Sequence, residues 1–307
     1  MAPPSSSAIL DLLSQYKYKN SMQNRQELRF AVLIDADNVP SGHLKEMMEE
    51  IAKYGTPTFK RIYGDWTKPT VTRWKSLLLE NAITPIQQYS YTQGKNATDS
   101  AMIIDAMDIL YTGRVDGFCI ISSDSDFTRL AMRLREAGMK VIGMGENKTP
   151  MPFITACDKF IYVEILKGDA EEEAKEENEP AREVKERQSI RKVDKKLINS
   201  ISTSITDLAD ETGWVFLGEL GNLILKKQPD FDPRNYGFKK LVLLIKSISE
   251  FEVDERATDK GSGNIRHVYV RLKPKKAPHT RRKPAPRSAP QPATGVNEVP
   301  KNPETPV

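Results

Sequence analysis

The sequence predicts an α/β protein in which a parallel sheet flanked by helices is followed by a second, smaller, helix-rich unit. Three observations carry this expectation. Short apolar runs alternate with stretches of helical periodicity from Arg29 to about Glu164, as in a parallel sheet covered on both faces. Two of those runs, FAVLIDADN at 30–38 and FCIISSDSDF at 118–127, end in carboxylates. A stretch almost wholly of charged or small residues, GDAEEEAKEENEPAREVKERQ at 168–188, then separates the sheet from a region of different periodicity.

Composition bounds the function classes. A chain of 307 residues with 38% hydrophobic content has room for two domains and linkers. Its net charge of +4 is the balance of 46 basic and 42 acidic residues, so partners must be read from where the charges lie. Cys119 and Cys157 sit in apolar surroundings, which fits small buried residues in a reducing compartment rather than a disulfide framework or a zinc site. No apolar run approaches the roughly 20 residues of a membrane span. The N-terminus also lacks a secretory pattern. A soluble, cytoplasmic protein without membrane association is expected.

Residues 1–28 form an N-terminal extension in which Ile9, Leu12, Leu13 and Tyr16 recur at helical spacing. The sheet domain spans 29–166. Its strand candidates are Phe30 to Ile34, Thr58 to Tyr63, Ile83 to Tyr89, Gly117 to Ser122, Lys140 to Met144 and Phe160 to Val163, with helices between them. Leu44, Met47, Met48 and Ile51 mark one helix face behind a candidate cap at Ser41. The segment IYGDWTKP and the helix after it bring Tyr63, Asp65, Trp66, Lys68 and Arg73 towards one sheet edge. Such a mixture can grip phosphates and stack bases, or simply pack Trp66 and Trp74.

The turn Gly94-Lys95-Asn96 precedes a helix with Asp99 in its first turn, where an acid can serve either the helix dipole or a site. Asp105 is rotated by about 240° from Asp99, so one ion would not hold both, and Asp108 reads as solvated surface. Asp124 falls at the end of the second junction strand, with Asp126 in the first turn of the following helix. In a parallel sheet the ligand crevice lies outside the carboxyl ends of the strands, which is where these acids should gather. Capping would explain any one of them. It does not explain acids accumulating after two separate strands.

Residues 167–189 make a solvated linker. From 190 to 272, Ile198, Ile201, Ile205 and Leu208, then Leu217, Leu220, Leu223 and Ile224, then Phe238, Leu241, Val242 and Ile245 give three helical faces. FEVDE and HVYVRL flank a turn, completing a winged helix-turn-helix pattern. The tail, 273–307, is Pro-rich with a basic first half suited to nonspecific contact with phosphate backbones.

Were Asp35, Asp99, Asp124 and Asp126 to converge, their mutual repulsion would call for a divalent cation. Oxygen-only donors favour Mg²⁺ or Mn²⁺ over zinc, and such a site supports phosphodiester hydrolysis. Asn38 adds a neutral polar group beside them. His43, His267 and His279 lie away from these motifs, which disfavours histidine-based ribonuclease chemistry.

IDADN after a strand, GKNATDSAMIIDAMD opening a helix and ISSDSDFTRLAMRLREAG closing the set resemble the NYN domain, a branch of the PIN-like metal-dependent nuclease fold. The resemblance covers about 29 to 165. It implies a PIN-like sheet, a Mg²⁺ or Mn²⁺ site and RNA cleavage, with Asp35, Asp99, Asp124 and Asp126 as matching acids, Asn38 as their polar companion and Asp37 behind them. The stretch TGWVFLGELGNLILKKQPDFDPRNYGFKKLVLLIKSISEFEVDE resembles an OST-HTH, or LOTUS, domain through Gly213-Trp214-Val215, Leu220, Pro229-Asp230-Phe231-Asp232, Tyr236-Gly237-Phe238 and Leu241. That resemblance implies a module for RNA, including G-rich or structured RNA, or for a protein partner.

Lys226, Lys227, Arg234, Lys239 and Lys240 are the basic groups expected at its RNA surface, with Lys68, Arg73 and Lys95 on the sheet domain. The expected function is therefore a metal-dependent ribonuclease with an RNA-binding module. The alternative is a noncatalytic RNA-binding or regulatory adaptor on the same fold. A receiver-type phosphoacceptor is disfavoured, because the acidic pair and later lysine it needs form no clean pattern.

Overall fold

The computed structural model describes residues 27–89, 97–166, 189–257 and 266–274. The helix expected at 9–16, the turn expected at Lys95, the charged linker, the turn expected between the last two strands and nearly all of the basic tail lie outside the described residues.

Six strands form one parallel sheet: β1 (Arg29–Asp35), β2 (Thr56–Gly64), β3 (Thr84–Gln87), β4 (Gly117–Ile121), β5 (Lys140–Gly145) and β6 (Lys159–Tyr162). Their order, β3-β2-β1-β4-β5-β6, reverses direction between β1 and β4. Strands buried on both faces must be apolar throughout, and the six described core residues Phe30 to Asp35 and all of β4 are indeed buried. The helices are α1 (Leu44–Ala52), α2 (Lys75–Glu80), α3 (Ala97–Thr112), α4 (Thr128–Glu136) and α5 (Met151–Ala156).

Two cores result, one on each face. Leu44, Met47 and Ile51 of α1 and Trp74 and Leu78 of the next helical segment cover Val32, Ile34 and Ile121. On the other face Met102, Ala106 and Ile109 of α3 and Leu130 and Leu134 of α4 pack with Leu33, Phe118 and Ile120. Cys119 and Cys157 are free, buried thiols in separate cores. The methionine and tryptophan positions resolve as packing: Trp74 is buried, and half-buried Trp66 donates Nε1–H to the Ile86 carbonyl at 3.0 Å. Tyr63 is also fully buried. Trp74 and Tyr63 are thereby closed to a base.

The second domain has α6 (Lys195–Leu208), α7 (Leu217–Lys227) and α8 (Leu241–Ser247) with a short strand β7 (Val215–Phe216) and the hairpin strands β8 (Phe251–Ala257) and β9 (Arg266–Leu272). Both β7 and β8 pair antiparallel with β9. Leu197, Ile201, Ile205, Leu220, Ile224, Leu244, Ile245 and Val270 close its core, as the three helical faces require. Asp194 caps α6 by accepting from the Leu197 amide at 2.8 Å. No described helix is long and apolar enough to cross a membrane.

Both domains fall within one compact unit that runs to Lys273. They meet where the 229–237 turn of the second domain lies against the open edge of β6 and against α1. The Phe160 amide donates to the Pro229 carbonyl at 2.8 Å, and the Arg234 guanidinium grips both oxygens of Glu50 at 2.9 and 3.0 Å. This corrects the placement of Arg234 on an RNA surface: its side chain is 12% exposed and engaged with Glu50 and Asp232. The signal could not be seen in sequence because its partner is 184 residues away.

Burial alone would push the Glu50 carboxyl up, but hydrogen bonds and charge from Arg234 and Lys53 outweigh it and hold it down to about 2, from an ordinary 4.5. Asp232, Tyr54 and Lys159 surround the same pair. A carboxylate with a depressed folded-state pKa contributes fully above its ordinary value and loses that contribution as pH falls towards the folded one. Thermal melts of wild type and Glu50→Gln should therefore differ most above about pH 4.5 and converge towards pH 2. A constant gap across that range would contradict the assignment.

Candidate metal centre

Pairing of β1 with β4, Ile34 beside Ile121, sets Asp35 and Ser122 next to each other at the carboxyl edge. This is where strand order reverses, the usual crevice of an open α/β sheet. Asp35 is 1% exposed, and its carboxylate is held by three donors. Asn38 Nδ2 and Ser122 Oγ donate to Oδ2 at 2.8 and 2.7 Å, and the Asp37 amide donates to Oδ1 at 3.1 Å. Burial raises its pKa while the three hydrogen bonds oppose the rise.

Ser122 works in two directions, because its Oγ also accepts from the Asp124 amide at 3.0 Å. Its own amide donates to Met144 across the sheet. Gly145 makes this closure feasible, since a Cβ there would lie 2.6 Å from the Ser122 carbonyl oxygen. Asp124 in turn accepts from the Asp126 amide at 2.9 Å as the cap of the Ser125–Phe127 turn. Capping and gathering thus coexist in one residue. Loop 122–126 is a relay of short hydrogen bonds that hands position from buried Asp35 to the rim.

Across the crevice, Asp99 stands in the first turn of α3, which packs on β1 and β2. One carboxylate oxygen each from Asp99, Asp124 and Asp126 lie within 4.8 Å of one another. Burial first, then the charges of Asp35, Asp124, Asp126 and Asp37, push the Asp99 carboxyl up to about 6. The acids of three separate segments therefore share one field. Asp35 is outside the trio, at its buried base, and exposed Asp37 contributes charge from the side.

Other acids are accounted for differently. Asp105 is tied to Arg61 and Tyr63 on β2. Asp65 accepts from Thr67 Oγ1 and Gln87 Nε2, fixing the loop after β2. Lys68 and Arg73 are exposed on that side. On the second domain Lys226, Lys239 and Lys240 are exposed, while Lys227 bonds Asp207 at 2.6 Å.

Family models match residues 29–165 as an NYN domain and 188–262 as an OST-HTH/LOTUS domain. The chain carries an NYN domain followed by an OST-HTH domain. The six-stranded parallel sheet is the NYN fold, and the winged helix is the OST-HTH module. No curated protein is found similar to the chain. Among solved structures, a protein of unknown function from Vibrio parahaemolyticus is 18% identical, with 45% of this chain and 93% of that one covered and a TM-score of 0.38. An uncharacterized protein from Nitrosomonas europaea is 31% identical over 33% of this chain and 91% of that one, with a TM-score of 0.26. A protein from Chromobacterium violaceum is 26% identical over 32% and 95%, with a TM-score of 0.22.

Ser122 is the member of this NYN edge that sequence reasoning passed over. The only signal for it was a small hydroxyl residue immediately after an apolar strand. Ser122→Ala removes one donor from a buried carboxylate and one acceptor from the relay, and should cost about 1–3 kcal/mol of stability. Chemical denaturation compared with Ser125→Ala, at an exposed position, measures it. Equal stability of the two variants would show that Asp35 does not depend on the relay.

Proposed function

We propose that the NYN cleft is a divalent-metal-dependent ribonuclease site fed by the OST-HTH module. The observation that carries this reading is the convergence of Asp99, Asp124 and Asp126 within 4.8 Å at the β1/β4 edge. The donor set fits the group: it is oxygen-only, anionic, drawn from two chain segments and backed by a buried fourth carboxylate from a third. Such ligands suit Mg²⁺ or Mn²⁺. A bound ion of this kind activates water and neutralises charge on a phosphodiester undergoing attack.

The chain's residues would divide the work as follows. Asp99, Asp124 and Asp126 hold the ion. Asp35 supplies negative charge at the base, and Asn38 and Ser122 fix its orientation by hydrogen bonds to one oxygen. Burial of Asp35 keeps water from that side, so the reacting phosphate has to enter from the exposed rim near Asp126. The OST-HTH module and the basic tail hold RNA, with Lys226, Lys239 and Lys240 as the exposed groups for its backbone.

The test uses the full chain with linear and circular RNA, with and without Mg²⁺ or Mn²⁺. Wild type should cut only with metal, and Asp124→Asn should lose at least about 100-fold in rate, the upper end of what even outer-shell losses cost at metal sites. RNA retention in a filter assay should stay near wild type. Wild-type binding without cleavage under any metal would instead support the noncatalytic adaptor.

A further inference from the structure

The OST-HTH turn Pro229–Gly237 is built like a key seated in the NYN domain. Asp232 caps the turn through the Arg234 amide at 2.9 Å, and Gly237 closes it at φ 83°, a left-handed conformation that favours glycine. Within that frame the Arg234 guanidinium is held on one side by both oxygens of Asp232, at 2.9 and 3.0 Å. Nη1 and Nη2 also fork onto Glu50 of α1, which in addition accepts from Lys53 and Tyr54. At the β6 end, buried Asp230 accepts from Tyr162 Oη at 2.8 Å and from Arg191 at 2.6 Å, and the Arg191 amide donates to Asn235. The Phe160 amide completes the contact on the sheet's open edge.

These contacts are directional and mostly buried, which distinguishes them from an apolar patch that tolerates sliding. Paired forks between a guanidinium and two carboxylates accept one orientation. Inter-domain motion is the default for linked domains unless the interface forbids it. Here the turn ties the two domains at defined atoms instead.

We propose that this turn, with Arg234 as a positioning residue, locks the OST-HTH module to the NYN domain so that RNA held by the module meets the acidic cleft at one fixed offset. The inference rests on the ribonuclease reading for its register and on geometry alone for its docking. A rigid unit measures distance along its substrate, whereas two tethered domains would cut wherever the linker reaches.

Two readouts test it on the full chain. Hydrogen exchange of the Phe160 amide, which donates from β6 to Pro229, and of the 229–237 turn reports docking without any RNA. Protection of both should be lost in Arg234→Ala and in Glu50→Gln, which break the same fork from opposite domains, while the cores of the two domains stay protected. Arg234→Lys, keeping the charge without the fork, should fall between. Cleavage of a 5′-labelled oligo(A) RNA carrying one central run of guanosines then reports register. Wild type should give one tight cluster of cuts, and the docking variants should give the same total cleavage spread over many positions. A tight cluster that survives loss of protection overturns the fixed offset, and protection unchanged in both variants overturns the latch. Absence of any wild-type cleavage would count against the ribonuclease reading and remove the register with it, while exchange would still decide the docking.

Discussion

Asp35 is a carboxylate with 1% exposure at the end of a strand whose residues from Phe30 to Ile34 form the core. Placing a charge there without compensation would cost several kcal/mol, so the fold has to bring donors to it. Only one of the three donors is immediately local. Asn38 requires the chain to turn back after β1, and Ser122 requires β4 to lie beside β1 in a register that pairs Ile34 with Ile121. The demand of one buried acid thereby constrains the order of the central strands and the path of both loops. The two loop carboxylates inherit their places from that arrangement, Asp124 through Ser122 and Asp126 through Asp124.

The inheritance explains why the rim can be strongly anionic and still be ordered. Carboxylates that repel each other spread apart when attached to free loops. In the NYN edge, the Asp126 amide satisfies part of the capacity of one Asp124 oxygen, and α3 presents Asp99 from a rigid element. The remaining negative field is expressed as the raised pKa of Asp99, caused by burial and by four neighbouring acids. A cation is the natural complement of such a field, because protonation at neutral pH would remove only part of it.

How much of this could be read from sequence follows the range of the interactions. All six strands, the helices between them and the acids at the two junctions were legible, because buried parallel strands write themselves as continuous apolar runs. The winged-helix unit was legible from three helical faces and a hairpin. What escaped was nonlocal. Trp66 packs rather than stacking on a ligand because Ile86 accepts its N–H, and Asp105 is consumed by Arg61 and Tyr63 of β2. Neither partner is close in the chain. Arg234 looked like a surface cation in a basic segment, yet its partner belongs to the other domain.

Arg234 also shows why composition misleads at domain boundaries. Lys226, Lys239 and Lys240 lie near it in sequence and stay exposed, so the same basic segment serves two purposes. A lysine would leave one of the four carboxylate oxygens around Arg234 poorly served, since an ammonium cannot reproduce a planar fork. An apolar interface of similar size would hold the domains with comparable strength, because buried ion pairs add little net stability. It would not hold them in one orientation. The expense of burying Glu50, Asp230, Asp232 and Arg234 between two domains makes physical sense where relative position, rather than adhesion alone, is what the protein needs.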